Sequence, residues 1–219
     1  MGSVAALLRY PVKGARSEHL ESVEVSYDGL RGDRLWACVD ATDGTVGSAK
    51  HPARWGALLT VATPDEAGMV PDWFGAAAGT ATVTEIAGAR PGGRFTDFGA
   101  VPLISTRSLR HLAAHMGAES VTPPARFRPN LVVEAPADPE PCAELRVGDV
   151  VLRVIVRTPR CAIPGLGHHE AGADRRVLPA LARHFRTELP GRGRAACFGV
   201  YAEVLNAGEI AVGQRVVVE

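Results

Sequence analysis

Apolar positions recur with a period of two in short runs at residues 19–25, 35–40, 57–62, 81–86, 130–134, 150–157, 198–204 and 214–218, with Gly- and Pro-containing turns between them. That period sends alternate side chains to opposite faces, so these runs are predicted strands. The clearest is 150–157, where Leu152, Val154 and Val156 alternate with Arg153, Ile155 and Arg157. One face is expected to be buried and the other partly cationic. Two stretches switch to a helical period. Ser105 or Thr106 can cap a helix with Leu109, Leu112, Ala113 and Met116 on one stripe, and Gly117 stands where a C′ glycine belongs. A second helix is expected to run to about Leu189 with Leu178, Leu181, Ala182 and Phe185 inward, Pro179 lying in its first turn or kinking it.

Many short strands and about two helices predict a mainly β (α+β) protein, a barrel or sandwich and not a doubly wound α/β fold. Val147-Gly148-Asp149-Val150 and Val212-Gly213-Gln214-Arg215-Val216 repeat a turn that feeds a strand, which fits barrel construction. The chain's 219 residues allow one large β-rich domain or a smaller subdomain leaning on a larger one. A Gly/Ala/Pro stretch at 87–99 suggests a boundary, dividing the chain into 1–90 and 91–219.

Charge removes several function classes. The 24 Lys and Arg are balanced by 24 Asp and Glu, so no broad field is available to attract nucleic acid or an anionic membrane, although a local basic pocket can hide in a neutral total. The apolar start is interrupted at Arg9, too early for a membrane span, and Ala6 does not fit a myristoylation signal. A cytoplasmic location is the expectation. Cys38, Cys142, Cys161 and Cys197 are far apart with no C-x-x-C, so zinc-ribbon, iron–sulfur and disulfide-scaffold readings fail on spacing.

Five polar segments lie in or beside apolar strands: Tyr10-Pro11-Val12-Lys13-Gly14, Gly29-Leu30-Arg31-Gly32-Asp33-Arg34, Ser48-Ala49-Lys50, Arg126-Phe127-Arg128-Pro129-Asn130 and Thr158-Pro159-Arg160-Cys161. Brought together by a barrel, their cations would make an anion pocket without a phosphate-binding glycine loop. Taken singly, each is more often a solvated or salt-bridged surface side chain. Asp33 beside Arg31 and Arg34 reads as a structural ion pair. No G-x-S-x-G, H-E-x-x-H or Walker A pattern occurs, and Gly165-Leu166-Gly167 and Gly191-Arg192-Gly193 lack the third glycine of a dinucleotide fingerprint.

In order along the chain these segments resemble the MOSC family, the domain shared with the C-terminal part of molybdenum-cofactor sulfurases, together with its N-terminal β-barrel domain. The matching features are Y-P-V-K-G at 10–14, G-L-x-G-D-R-x-W at 29–36, Ser48-Ala49-Lys50, L-x-S-x-x-S-L at 103–109, R-F-R-P-N at 126–130, G-D-V-x-L at 148–152, T-P-R-C at 158–161, and F-G-V-Y-A at 198–202 followed by G-x-I-x-V-G-x-x-V. The resemblance implies a MOSC β-barrel core over 91–219 with a smaller N-terminal β subdomain over 1–90. In cofactor-binding members it also implies a molybdenum cofactor (Mo-molybdopterin) whose metal takes its protein ligand from the position of Cys161. A soft thiolate suits such a centre, and neighbouring Arg160 would favour the thiolate. Cys161 and Arg160 are thus the catalytic candidates; Cys38, Cys142 and Cys197 are expected to be small buried hydrophobes.

The same resemblance assigns pterin and phosphate contacts to Lys13, Arg34, Lys50 and Arg128, with Ser48, Asn130 and Arg160 as closer polar donors. Gly14 would give close backbone approach, or be a plain turn; Arg126, Arg31 and Ser105 are secondary candidates. Arg128 is expected to face the ligand and Arg126 not, as alternate residues of a strand. Pyridoxal phosphate binding travels with the family only as a general description. One departure concerns the loop after the cysteine: amidoxime-reducing relatives carry T-x-D-P-x-T-G where this chain reads Ala162-Ile163-Pro164-Gly165-Leu166-Gly167-His168-His169-Glu170. His168 and His169 there are either exposed loop residues or a metal or proton site. With its final strand ending at Glu219, the chain is expected to lack the ferredoxin-like domain of some bacterial relatives. Three functions stay open. One is an oxidoreductase acting on a small N-hydroxylated substrate with electrons from a separate ferredoxin, flavodoxin or reductase. Another is a sulfurtransferase with a Cys161 persulfide supplied by a cysteine desulfurase, and the third a non-enzymatic molybdopterin carrier. No nucleic-acid or membrane partner is expected.

Overall fold

The computed structural model describes residues 2–40, 42–60, 81–85, 94–117, 122–191 and 193–219. Its strands are β1 (Gly2–Arg9), β2 (Glu18–Leu20), β3 (Ser22–Ser26), β4 (Gly29–Leu30), β5 (Trp36–Asp40), β6 (Ala81–Glu85), β7 (Val101–Ser105), β8 (Leu131–Val133), β9 (Glu144–Val147), β10 (Val150–Pro159), β11 (Arg186–Leu189), β12 (Gly193–Asn206), β13 (Gly208–Ala211) and β14 (Arg215–Val218). The helices are α1 (Pro52–Trp55), α2 (Thr106–His115) and α3 (Val177–His184). Strand pairing runs β10-β9-β14-β1-β8-β7-β12, and β12 pairs back with β10, so seven strands close into a barrel without free edges. β7 and β8 are parallel, and the other barrel pairs are antiparallel. Among the described residues the protein is mainly β around this barrel, with the two expected helices and the one-turn α1. No helix among the described residues is long and apolar enough to cross a membrane.

Alternation builds the barrel interior. On β10, Leu152 and Val154 are buried while Arg153 is exposed and Ile155 is 41% exposed. They pack with Val4, Leu7, Leu103, Leu131, Val147 and Val200, each contributing about 1.5–3 kcal/mol by leaving water. A second cluster seals one side of the barrel under α2 and α3: Leu8, Tyr10, Ile104, Leu109, Leu112, Phe127, Leu181 and Phe198. Ser105 is the N-cap of α2, its Oγ accepting from the Ser108 amide at 3.1 Å, and Leu109, Leu112 and Ala113 face inward as the stripe predicts. A third cluster, Val12, Ala15, Cys38, Trp55 and Leu58, fastens the Y-P-V-K-G turn to α1 and β5.

Several expectations change. The run beginning at residue 57 forms a 3-10 helix, Gly56–Thr60, continuing from α1, with Leu58 and Leu59 buried; Pro52 at its first turn nucleates helix where local alternation suggests strand. Residues 61–62 lie outside the described set, as does the boundary near residue 90. β1 and β7 carry no clean alternation because β7 is buried along its whole length, and on β1 the successive Leu7 and Leu8 are both buried, one in the barrel interior and one in the cluster under the helices. α3 is rotated from its expected face. It buries Val177, Ala180 and Leu181 and leaves Leu178 and Ala182 exposed, and it stops at His184 so that residues 186–189 pair with β12. Pro179 does lie in its first turn. Cys142 is exposed at φ 72, a turn residue and not a buried hydrophobe, whereas Cys38 and Cys197 are buried.

Candidate functional site

Cys161, just beyond β10, is half-buried on the wall of a cavity of about 610 Å³. Lys13, Gly14, Arg34, Ser48, Lys50, Arg128 and Arg160 share that wall, so the structure gathers these candidates from five separate segments into one place. Arg126 joins them, whereas Asn130 stands fully buried behind the wall. Arg31 is exposed and paired with Glu24 at 2.8 Å, and Ser105 is committed to its cap. Among the described residues, six cations therefore line the cavity against one carboxylate, Asp97.

Asp33 organises the deep end. Fully buried, it accepts from the Tyr10 amide at 2.9 Å and from Asn130 Nδ2 at 2.8 Å, and it takes the Arg34 guanidinium on its other oxygen. Its ion partner is Arg34 and not Arg31. Asn130 closes the network, accepting from Arg34 at 2.9 Å and donating to the Leu8 carbonyl at 2.8 Å. Arg34 then donates to the Arg128 carbonyl at 3.1 Å. Burial works against its charge, but Asp33 overrides it and raises the Arg34 pKa.

Arg128 is held differently. Its segment is a 3-10 helix, Pro124–Phe127, with Arg128 left-handed at its end (φ 57), so side-chain direction follows that turn and not the strand alternation expected of R-F-R-P-N. Its guanidinium lies 4.2 Å from the Tyr10 ring centroid, with Arg34 at 4.8 Å from the same ring. One terminal nitrogen donates to the Ala15 carbonyl; the other terminal nitrogen is buried with no partner among the described residues. Burial pulls its pKa down to about 10. Arg126 is spent structurally, donating to the carbonyls of Pro164, Leu166 and Gly172 at 2.9, 3.0 and 2.9 Å, and thereby straps down the loop after Cys161.

At the outer rim Lys13 and Lys50 grip the same carboxylate: each Nζ is 2.8 Å from an Asp97 oxygen. Backbone pairing of Val12 with Trp36 presents Lys13, and Gly14 follows at φ +80, where a Cβ would stand 3.2 Å from Leu58 Cδ1. Lys13 is the more buried of the two lysines, so burial wins and lowers its pKa, while at the more open Lys50 the pull of Asp97 wins and raises it. Burial alone would raise Asp97, but the two ammonium groups hold it well below the usual carboxylate range.

Arg160 fixes the wall beside the cysteine. Its three nitrogens donate to the Phe127 and Phe198 carbonyls, at 2.7 Å for Nη1 and for Nε, and its amide donates to Ala196 at 2.9 Å. It acts through position. Gly199 makes that possible: at φ +74, a Cβ there would come within 2.6 Å of the Leu103 carbonyl and 3.2 Å of the Arg160 guanidinium. His168 and His169 are half-buried, not exposed, with His169 Nε2 3.3 Å from Ser17 Oγ. Burial and Arg126 push the His168 pKa down to about 4.

Sequence reasoning missed Asp97 and Tyr201 as wall residues. Asp97 has no signal in a Gly-rich neighbourhood, whereas Tyr201, inside the F-G-V-Y-A match, sits in the β12 alternation as a half-buried position and could have been found there. The apolar remainder of the wall includes Phe95, Phe98, Val156, Ile163 and Leu189. Among the described residues no group of three or more His, Cys, Asp or Glu side chains is arranged to hold a metal by itself.

Residues 92–217 match the family described as MOSC domain, and residues 1–70 match the one described as MOSC N-terminal beta barrel domain. No curated protein matches the chain. Among solved structures, the YUAD protein from Bacillus subtilis is 14% identical with a TM-score of 0.54, covering 99% of this chain and 94% of that chain. A hypothetical protein is 9% identical with a TM-score of 0.51, covering 100% and 68%. YiiM from Escherichia coli is 9% identical with a TM-score of 0.47, covering 100% and 70%. At these identities the first two likenesses establish a shared fold and nothing finer.

Proposed function

The chain belongs to the MOSC family, which is associated with molybdenum cofactor binding, and from that premise we propose that its cavity binds Mo-molybdopterin and reduces N-hydroxylated compounds with electrons from a separate protein. The observation that carries this reading is six cations and a half-buried cysteine around one cavity, with, among the described residues, a single opposing carboxylate. The residues fit such a group. Arg128 is half-buried, and among the described residues its guanidinium has one buried nitrogen without a partner and no carboxylate ion pair, a cost that an anionic ligand at the cavity would offset. Arg34 and Arg128 would hold the pterin end and Lys13, Lys50 and Ser48 the phosphate, while Gly14 serves the turn that carries Lys13, its open side filled by Leu58. Cys161 would supply the one soft protein ligand, which suits a metal already held by sulfur.

When bound, the cofactor supplies two-electron chemistry at an N–OH group: the N–O bond breaks, an N–H bond forms, and two electrons with two protons release the oxygen as water. The chain's own contribution is binding and placement. Arg160 locks the backbone on both sides of the cavity wall next to Cys161, and Arg126 anchors the loop that follows. Phe95, Phe98 and Leu189 offer an apolar surface that excludes water from the bound substrate.

The test is metal and pterin analysis of protein made in a host competent for cofactor synthesis, for wild type and Cys161→Ser. Near-stoichiometric molybdenum with released pterin, lost or altered in Cys161→Ser, supports the reading. Absence of molybdenum with a persulfide on Cys161 overturns it in favour of sulfur transfer. Full molybdenum without N-hydroxyl reduction under dithionite would leave a carrier.

A further inference from the structure

The charge that is balanced over the whole chain is not balanced in space. Residues 106–117 and 174–186, which form α2, α3 and their flanks, hold six arginines and one carboxylate, leaving 18 cations against 23 carboxylates in the rest of the chain. The arginines are Arg107, Arg110, Arg175, Arg176, Arg183 and Arg186, all exposed, and the one carboxylate, Asp174, is taken up by Arg176 at 2.9 Å. Three exposed histidines join the two helices: His115 stacks on His184 at 3.8 Å, and its ring nitrogen is 3.0 Å from that of His111. Helices of ten and eight residues give a cationic face about 15 Å long.

This face is wired to the candidate cysteine. Phe185, at the end of α3, lies under His111 with ring centroids 5.4 Å apart. Its carbonyl accepts from the Cys197 amide at 2.8 Å, and the carbonyl of that same peptide unit, Ala196, accepts from the Arg160 amide at 2.9 Å. Arg160 is bonded to Cys161. Two hydrogen bonds across one peptide group therefore join the face to the cavity, in parallel with a run of rings: Phe185 on Phe198 at 5.0 Å and Phe198 on Phe127 at 4.5 Å, with Phe127 in the cavity wall. Bonded and hydrogen-bonded bridges couple electron donors to acceptors far better than gaps do.

We propose that the α2/α3 face is the docking surface for an acidic one-electron carrier protein, and that electrons enter through Phe185, the Ala196–Cys197 peptide and Arg160. This rests on the reductase reading above. The carrier, of flavodoxin or ferredoxin class, is oxidised by one electron per encounter, so two encounters supply the two electrons of each N–O cleavage. A face of this size fits a transient redox contact, below ~1,200 Å² of buried surface, in which opposite charge sets the encounter rate.

The experiment uses the molybdenum-loaded chain and a reduced flavodoxin as probe, comparing wild type with Arg110→Glu/Arg183→Glu and with Arg146→Glu on β9 as control. Among the described residues Arg110 makes only a bond to Thr106 and Arg183 no hydrogen bond or ion pair, so the fold should survive. Binding by anisotropy is expected to weaken about tenfold or more in the double variant and in high salt, and to hold in the control. The stopped-flow reduction rate by the carrier should fall in step while reduction by dithionite stays unchanged. Equal carrier binding and rate in wild type and double variant would overturn the docking surface, and so would equal affinity for an oligonucleotide or an anionic vesicle. Failure of dithionite to reduce any variant would instead sink the reductase reading.

Discussion

Asp97 occupies the two lysines that a phosphate would need, and that competition can be measured. Both Asp97 and Lys50 side chains are 42% exposed, so each ion pair is worth only about 0.2–1 kcal/mol after solvent screening. An anion arriving at Lys13 and Lys50 must displace the carboxylate or share the lysines with it. Replacing Asp97 by Asn removes the negative charge and keeps the shape, which should raise affinity for inorganic phosphate by about 0.5–2 kcal/mol, or roughly 2- to 30-fold. Titration calorimetry at low salt would read this directly, and high salt should shrink the difference because the groups are partly exposed. Lys13→Ala and Lys50→Ala should each weaken phosphate binding in either background. If Asp97→Asn binds phosphate no better than wild type while the lysine variants bind it less well, Asp97 is a scaffold for the lysines and the competition argument is wrong.

Other consequences concern the cysteines, the buried network and pH. Cys142→Ser should leave stability and molybdenum content unchanged because the thiol is exposed, whereas Cys38→Ser should cost about 1–3 kcal/mol in denaturant unfolding by placing a hydroxyl in an apolar cluster, again without loss of metal. Asn130→Leu should cost about 3 kcal/mol or more, since Asp33, Arg34 and the Leu8 carbonyl each lose a buried partner; a wild-type urea midpoint would show that the network is dispensable. His168 is held near pH 4 by burial, below its unfolded value near 6.5, so the unfolded chain binds the extra proton first. Stability should therefore be level above about pH 6.5 and fall as pH drops toward 4, by at most ~3 kcal/mol and less after screening, and His168→Gln should flatten that slope in thermal melts.

How much of this was legible beforehand depends on where the determining contacts lie along the chain. β10 and α2 were readable because their partners sit on one regular stripe: Leu152 and Val154 alternate with exposed Arg153, and Ser105 caps a helix whose inward residues are three and four apart. β1 and β7 were not, because burial on both faces erases alternation. α3 was read on the wrong face because eight residues span barely two turns, and neighbouring Val177 decides the register. At the site, residue types and motif order pointed to Lys13, Arg34, Lys50, Arg128 and Cys161, and the fold brings all five to one cavity. Division of labour among the arginines was hidden. Arg126, Arg128 and Arg160 lie within 35 positions and look alike, yet Arg126 spends both terminal nitrogens on carbonyls 38 to 46 positions away and Arg160 spends its donors on Phe127 and Phe198, whereas Arg128 makes one such bond, to the Ala15 carbonyl, and among the described residues keeps a terminal nitrogen unpartnered. Only long-range packing separates a strap from a cation left open to the cavity. The same packing ties Asn130 into the buried network without placing it on the wall: its partners Asp33 and Leu8 are 97 and 122 positions away. A motif residue can thus be required because it aims Arg34 at the cavity, and its loss should appear first as lost stability and only through that as lost anion binding.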